Sequence, residues 1–347
     1  MRAKWVYPAF IVVFTLVSAE VLLRAFKRNQ TWSERVGHGY QSGYNQNHPT
    51  WFFSWKPNAE FDLDQKDFKY HYKTNHLGIR ERDTFYTDTS AAKILCLGDS
   101  YTEGYGAPYD SSYPKLMEQA LNQRGFHSQV YNAGIAASDP FFAYILLKLR
   151  LLIAQPEYVF ITFNSSDLTD FIYRGGSERF KPDGTVQGRK SPWYEPAYQH
   201  SYLARFFINT VLRKTKQNLF LTKRQYKEEY CPRAVSEALA VYQYMSQMGE
   251  QEGYELMVVI QPIANELVYQ NSENDSTKQL FASLEDSLNA HHIKNINMCR
   301  ALEGEITVAN KDELSYANDC HYTPSGYLLF TNSLLKAIDE KYPDYWK

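Results

Sequence analysis

The sequence predicts an α/β fold, a three-layer α/β/α sandwich built on a parallel, doubly wound sheet of about five strands. Two observations carry that expectation. From about residue 90 onward, short apolar runs of strand length alternate with longer stretches of helical period. The first of these runs also ends in a sharp polar turn, Gly98-Asp99-Ser100, where a parallel sheet presents its carboxyl edge.

Lys93 to Leu97 is the first strand, and an amphipathic helix from about Ser112 to Arg124 follows the turn. Gln129-Val130-Tyr131 reads as the second strand, Pro140 to Ala154 as an apolar helix, and Tyr158 to Phe163 as the third strand, with Pro156 before it. The unit then repeats: a helix over Ala234 to Gln251, a buried strand over Leu256 to Ile260, a helix over Thr277 to Ala290, a last strand over Ile293 to Met298, and a final helix from near Pro324. Residues 91–347 are thus expected to form the main domain. Residues 175–230, too long for a βα loop, read either as an insertion over the carboxyl edge of the sheet or as a surface excursion with a helix near Tyr202 to Lys214. Residues 29–90 are polar, aromatic and rich in turn formers, with a short candidate strand at Phe68 to Lys73, and read as an accessory lobe or linker.

Residues 1–28 carry the first functional signal. Arg2 and Lys4 precede an apolar run from Trp5 to Val17 that resumes after Glu20 and ends in Arg24, Lys27 and Arg28. The run approaches the roughly 20 residues that cross a bilayer, and its terminal basic side chains suit an interface, so a single-pass anchor is expected. Val17-Ser18-Ala19 has the small-residue pattern of a signal-peptidase site, which leaves secretion after cleavage behind Ala19 as the alternative. Either way the main domain would be extracytoplasmic. With 37 basic and 39 acidic side chains, the net charge of -2 gives no field that would recruit nucleic acid. Cys96, Cys231, Cys299 and Cys320 form no C-x-x-C pair or zinc spacing, and no metal or cofactor is expected.

The chemistry concentrates at two places far apart in the chain. Gly98-Asp99-Ser100 exposes a hydroxyl at a strand-to-helix turn, and Asp319-Cys320-His321 stands just before the helix start Thr323-Pro324-Ser325-Gly326. A serine nucleophile needs a base within hydrogen-bond reach and a carboxylate that orients the imidazole. Ser100, His321 and Asp319 are the candidates for those roles. Cys320 lies between two of them, so a disulfide to Cys299 that steadies the loop is expected in an exported domain, while Cys96 reads as an inert core thiol.

These residues resemble the SGNH or GDSL hydrolases. One block is Leu97-Gly98-Asp99-Ser100-Tyr101-Thr102-Glu103-Gly104-Tyr105-Gly106, a second is Asn132-Ala133-Gly134-Ile135, and the last is Asp319-Cys320-His321-Tyr322-Thr323-Pro324-Ser325-Gly326. Upstream, Thr74-Asn75-His76-Leu77-Gly78-Ile79-Arg80 is similar to the segment that precedes the first block in membrane-anchored members. The resemblance implies a flavodoxin-like five-stranded sheet, with Ser100 attacking an ester carbonyl, His321 as base and Asp319 orienting it. It also implies an oxyanion hole from the backbone N–H groups of Ser100 and Gly134. The usual G-x-N-D block is replaced by Asn164-Ser165-Ser166-Asp167, so Ser166 stands where an asparagine would donate, with Asn164 two residues earlier as the other candidate. Three functions follow: a serine ester hydrolase, an O-acyltransferase of an envelope glycan using the same acyl-enzyme, or a weakly catalytic ligand-binding homologue. The expected partners are an ester-bearing lipid, glycan or small molecule, and the membrane through the N-terminal segment.

Overall fold

The computed structural model describes residues 6–26, 45–46, 54–82, 90–168, 197, 200–212 and 231–346, and the chain divides into two compact units, 44–188 with 231–347 and 1–43 with 189–230. In the larger unit, β5 (Ala92–Gly98), β6 (Ser128–Gly134), β7 (Tyr158–Phe163), β8 (Glu255–Ile260) and β9 (Lys294–Asn297) form one parallel sheet of order β6-β5-β7-β8-β9. In order along the chain these strands run 2-1-3-4-5, the doubly wound arrangement expected. Its switch point lies between β5 and its neighbours β6 and β7, and Ser100 is the second residue beyond β5.

The strands are buried on both faces, which is why they read as continuous apolar runs. Ile94, Cys96, Val130, Phe160, Met257 and Val259 face one side, with Met117 and Leu121 of α3 (Tyr113–Gln123) and Phe330, Leu334 and Ile338 of α8 (Pro324–Lys341) in the same core. Alternate residues face the other side, where the Phe163 ring meets Tyr242 of α6 (Cys231–Glu252) and Phe281 of α7 (Ser272–Ala290). The stretch predicted as one helix to Ala154 is α4 (Pro140–Leu146) followed by a π turn over Leu147–Leu151 and a 3-10 turn over Leu152–Ala154. It stops at Gln155, which takes φ 48°, because Pro156 cannot continue a helix.

The region before the sheet is tightly joined to it. The short strands β1 (Asn45–Gln46) and β2 (Ser54–Trp55) pair antiparallel, and a hairpin of β3 (Glu60–Asp64) and β4 (Lys69–Lys73) buries Phe61, Leu63, Tyr70 and Tyr72 and exposes the alternating charged positions. Beyond it, Arg80 is buried, donates from Nη1 to the carbonyls of Glu103 and Gly104, both at 2.9 Å, and from Nη2 to Ala107 O at 2.8 Å. Tyr70 and Tyr72 lie under its guanidinium, at 4.8 and 5.0 Å. Glu81 accepts the Asn132 N–H at 2.8 Å and meets the buried Lys115 ammonium at 3.4 Å. One planar cation therefore gathers three carbonyls of the loop that follows Ser100, a task for which the guanidinium fork is suited and an ammonium is not.

The smaller unit holds α1 (Val6–Ala25), a 20-residue apolar helix with no buried residue, and α5 (Tyr202–Phe206), continued by a π turn over Phe207–Val211. Most of the segment 175–230 lies outside the described residues.

Arg80→Lys keeps the charge but loses the fork. Its unfolding free energy in urea is expected to fall by ~2–4 kcal/mol, from one or two lost hydrogen bonds to a charged group. Unchanged stability would show that the loop is held by other contacts.

Candidate active site

The turn after β5 is sterically determined. Gly98 has φ 150°, and a Cβ there would stand 2.0 Å from Thr162 Oγ1 and 2.2 Å from Thr102 Oγ1. Asp99 is the N-cap of α2 (Ser100–Glu103), its Oδ1 accepting the Tyr101 N–H at 3.0 Å. Ser100 is then the first helical residue, where a helix leaves its N–H groups without intrahelical acceptors.

The structure brings the three candidates for the catalytic roles together across 221 positions of sequence. Ser100 Oγ lies 2.7 Å from His321 Nε2. His321 Nδ1 hydrogen-bonds Asp319 Oδ1, which also accepts the His321 backbone N–H at 3.0 Å. With Nδ1 carrying its proton toward Asp319, Nε2 is an acceptor for the Ser100 hydroxyl. Burial pushes the Asp319 carboxyl up, but the His321 ring and backbone more than offset it and hold the group below the usual carboxylate range. Tyr101 and Tyr105 flank the imidazole, each 4.7 Å away between ring centres. The Tyr101 hydroxyl donates to Cys320 O at 2.8 Å. The ligand atoms of Asp319, Cys320 and His321 lie within 4.8 Å of one another, a spacing that could hold a cation, but both His321 nitrogens already have partners.

Three of the predicted oxyanion groups, Gly134, Asn164 and Ser166, have other partners. Gly134 donates its N–H to Asn132 Oδ1 at 3.1 Å, and it has no room for a side chain, since a Cβ would stand 2.2 Å from Glu103 N. The Asn164 amide donates to Asp99 Oδ2 at 2.9 Å. Ser166 has a single hydroxyl hydrogen for two acceptors, Asp99 Oδ2 at 3.1 Å and Asn164 Oδ1 at 2.7 Å. Asp167 accepts the Asn164 N–H at 2.7 Å, as a cap.

The Cys299–Cys320 disulfide expected from the sequence is not formed, and all four cysteines are free thiols. Cys96 is wholly buried, and burial raises its thiol to about 12, as befits an inert core residue.

Several site residues escaped sequence reasoning. Glu103, fully buried, accepts hydrogen bonds from the Trp55 indole at 3.2 Å and from the Ala136 N–H, and burial raises its carboxyl. It thereby ties the hairpin region to the loop after β6. That loop returns to the turn that carries Ser100, with the Ile135 N–H and the Ser138 hydroxyl both on Gly98 O, at 2.9 and 2.7 Å. Within it Ala137 takes φ 60°, a conformation costly for a residue with a Cβ and often found where a site needs the backbone turned. No sequence signal marks Ala137, since glycine or asparagine is the usual occupant. Asp67 receives the Asn318 N–H at 3.1 Å and its side-chain amide at 2.8 Å, so the hairpin turn also holds the loop that carries Asp319 and His321.

No family model and no curated protein matches the chain. Among solved structures, it is similar to the acetyl xylan esterase AlAXEase, at 13% identity and TM-score 0.44 over 71% of this chain and 99% of that one. It is also similar to a lipase/acylhydrolase from Enterococcus faecalis, at 18% identity and TM-score 0.41 over 72% and 96% of the two chains. A third is the esterase EstA from a Pseudoalteromonas species, at 13% identity and TM-score 0.42 over 73% and 99%. The solved structures that this chain resembles include these and a putative lipolytic protein of the G-D-S-L family, and the likeness is one of chain course at low identity.

Proposed function

We propose that this chain is a serine-dependent ester hydrolase that works through an acyl-enzyme and is held at the outer face of a membrane by α1. The observation that carries the chemistry is the Ser100 Oγ to His321 Nε2 distance of 2.7 Å, with Asp319 on the opposite ring nitrogen. As Ser100 Oγ attacks the ester carbonyl, its proton passes to Nε2. The imidazolium so formed is stabilised by the Asp319 carboxylate and gives the proton to the departing alcohol. Water then repeats the cycle against the acyl-Ser100, with His321 again taking and returning a proton.

The side-chain candidates for the oxyanion, Asn164 and Ser166, are already arranged around Asp99. The Ser100 N–H is the first donor. Asn164 or Ser166 could supply a side-chain donor by exchanging its bond to Asp99 for one to the substrate oxygen, and Gly134 would have to release Asn132. Each exchange lowers the benefit of a donor that can otherwise contribute about 2.7–4 kcal/mol to the transition state. Slow turnover on simple esters is therefore expected.

Anchoring rests on the length and apolar composition of α1, which suffice to cross a bilayer. A tether of this kind favours acyl groups on lipids or envelope glycans.

Three outcomes check this reading. With p-nitrophenyl esters of short and long chain, Ser100→Ala and His321→Ala are each expected to lower kcat by about 10⁴-fold or more, and Asp319→Asn by less, as members of a triad contribute unequally. Acyl product should appear as free acid even when a sugar acceptor is added; acyl transfer to the sugar would instead favour the glycan acyltransferase. Because the folded-state Asp319 carboxyl lies below its unfolded value, its stabilising effect is present above the unfolded value and is lost as pH falls through the folded one. Thermal melts of wild type and Asp319→Asn should therefore converge at acid pH and diverge toward neutrality.

A further inference from the structure

An acidic side chain inside an otherwise apolar helix calls for a partner. Glu20 is such a residue, and its carboxylate is fully engaged within the smaller unit. It accepts the N–H groups of Tyr202 at 3.0 Å and Leu203 at 2.8 Å, the Ser201 hydroxyl at 2.9 Å, and the Arg24 guanidinium at 2.9 Å. Arg24 also donates to His200 O at 2.9 Å and lies 5.0 Å above the Tyr202 ring, and the Arg205 guanidinium is 4.4 Å from that same ring. Tyr202 and Leu203 open α5, so the bonds satisfy amides that a helix start leaves without acceptors and place a negative charge at its positive end. A carboxylate left alone at this level of a bilayer would be costly, and α5 removes the cost.

The segment so attached has two sides. Tyr202, Arg205 and Ile208 are buried, whereas Phe207, Val211 and Leu212 are 52%, 57% and 53% exposed. Its level relative to α1 is set by Glu20, which stands five residues before the end of the helix at Ala25, or about 7–8 Å at 1.5 Å per residue. That is the depth, roughly 5–10 Å, at which interfacial helices sit. The sequence continues as Arg213-Lys214-Thr215-Lys216, a basic run of the composition that anionic headgroups attract.

We propose that residues 202–212 form a second membrane contact, an interfacial segment whose exposed apolar side, Phe207, Val211 and Leu212, enters the same leaflet as the C-terminal end of α1, with Glu20 as the link. The partner is the lipid bilayer itself. The proposal rests on the reading of α1 as an anchor and adds a shallow element to it. Residues 200–212 then belong with the membrane-bound part of the chain.

The test uses the full chain in bilayer discs made with ordinary or acyl-brominated phosphatidylcholine and a fraction of phosphatidylglycerol. The readout is the tryptophan emission that Phe14→Trp or Phe207→Trp adds over the parent protein. Brominated lipid is expected to quench both added emissions, and Glu20→Leu is expected to relieve quenching at position 207 alone. Quenching at 14 without quenching at 207 overturns the second contact while leaving the anchor in place. Absence of quenching at both positions removes the anchor and the proposal with it. Quenching at 207 that survives Glu20→Leu overturns the role of Glu20 as the link.

Discussion

Asp99 is a carboxylate buried at the end of β5, and the placement of Ser100 depends on how it is satisfied. One oxygen caps α2 through the Tyr101 N–H, and the other receives the Asn164 amide and the Ser166 hydroxyl from the end of β7. A charge in that position must be fully hydrogen-bonded or it destabilises the fold, so two adjacent strand ends are held in register by the residue that precedes Ser100. The same arrangement has a chemical cost. Asn164 and Ser166, the side chains that the proposed hydrolase would turn to a substrate oxygen, donate to Asp99 instead, so Asp99 competes for them.

A second set of contacts acts on the opposite flank of α2. Arg80 gathers the carbonyls of Glu103, Gly104 and Ala107, Tyr70 accepts the Gly106 N–H at 3.3 Å, and the Tyr316 hydroxyl donates to Gly106 O at 2.7 Å. Asp67 holds Asn318, one residue before Asp319. The hairpin thus touches both halves of the Ser100–His321 pair, whose own loops are separated by most of the chain. Near-attack geometry depends on small tolerances, and a region that reads as an accessory lobe supplies much of the restraint here.

The sheet was legible because each strand, buried on both faces, is a nearly unbroken apolar run between helical stretches. Tyr158 to Phe163 was delimited to the residue by Pro156 before it and the polar Asn164-Ser165-Ser166 after it. The Ser100 and His321 loops were legible because each sits at the start of a helix in a distinctive polar setting. Other features lacked any local signal. β3 is Glu-Phe-Asp-Leu-Asp, whose acidic residues occupy the solvent face and mask a half-buried strand. The bonds of Arg80, Glu103 and Glu20 join positions 23 to 183 residues apart, and no periodicity reports such pairings. The disulfide expectation used an exported location, the place of Cys320 between Asp319 and His321 and that of Cys299 at the end of the last strand, and none of these fixes the separation of the two thiols.

The central claim is that Ser100 is a nucleophile activated by His321. Its most direct test is reaction of the folded protein with a fluorophosphonate, followed by peptide mass mapping of wild type and His321→Ala. A single phosphonyl adduct on the peptide containing Ser100, lost or greatly slowed in His321→Ala, is the result this account expects. An adduct on another serine, or none on the folded wild-type protein, would contradict it.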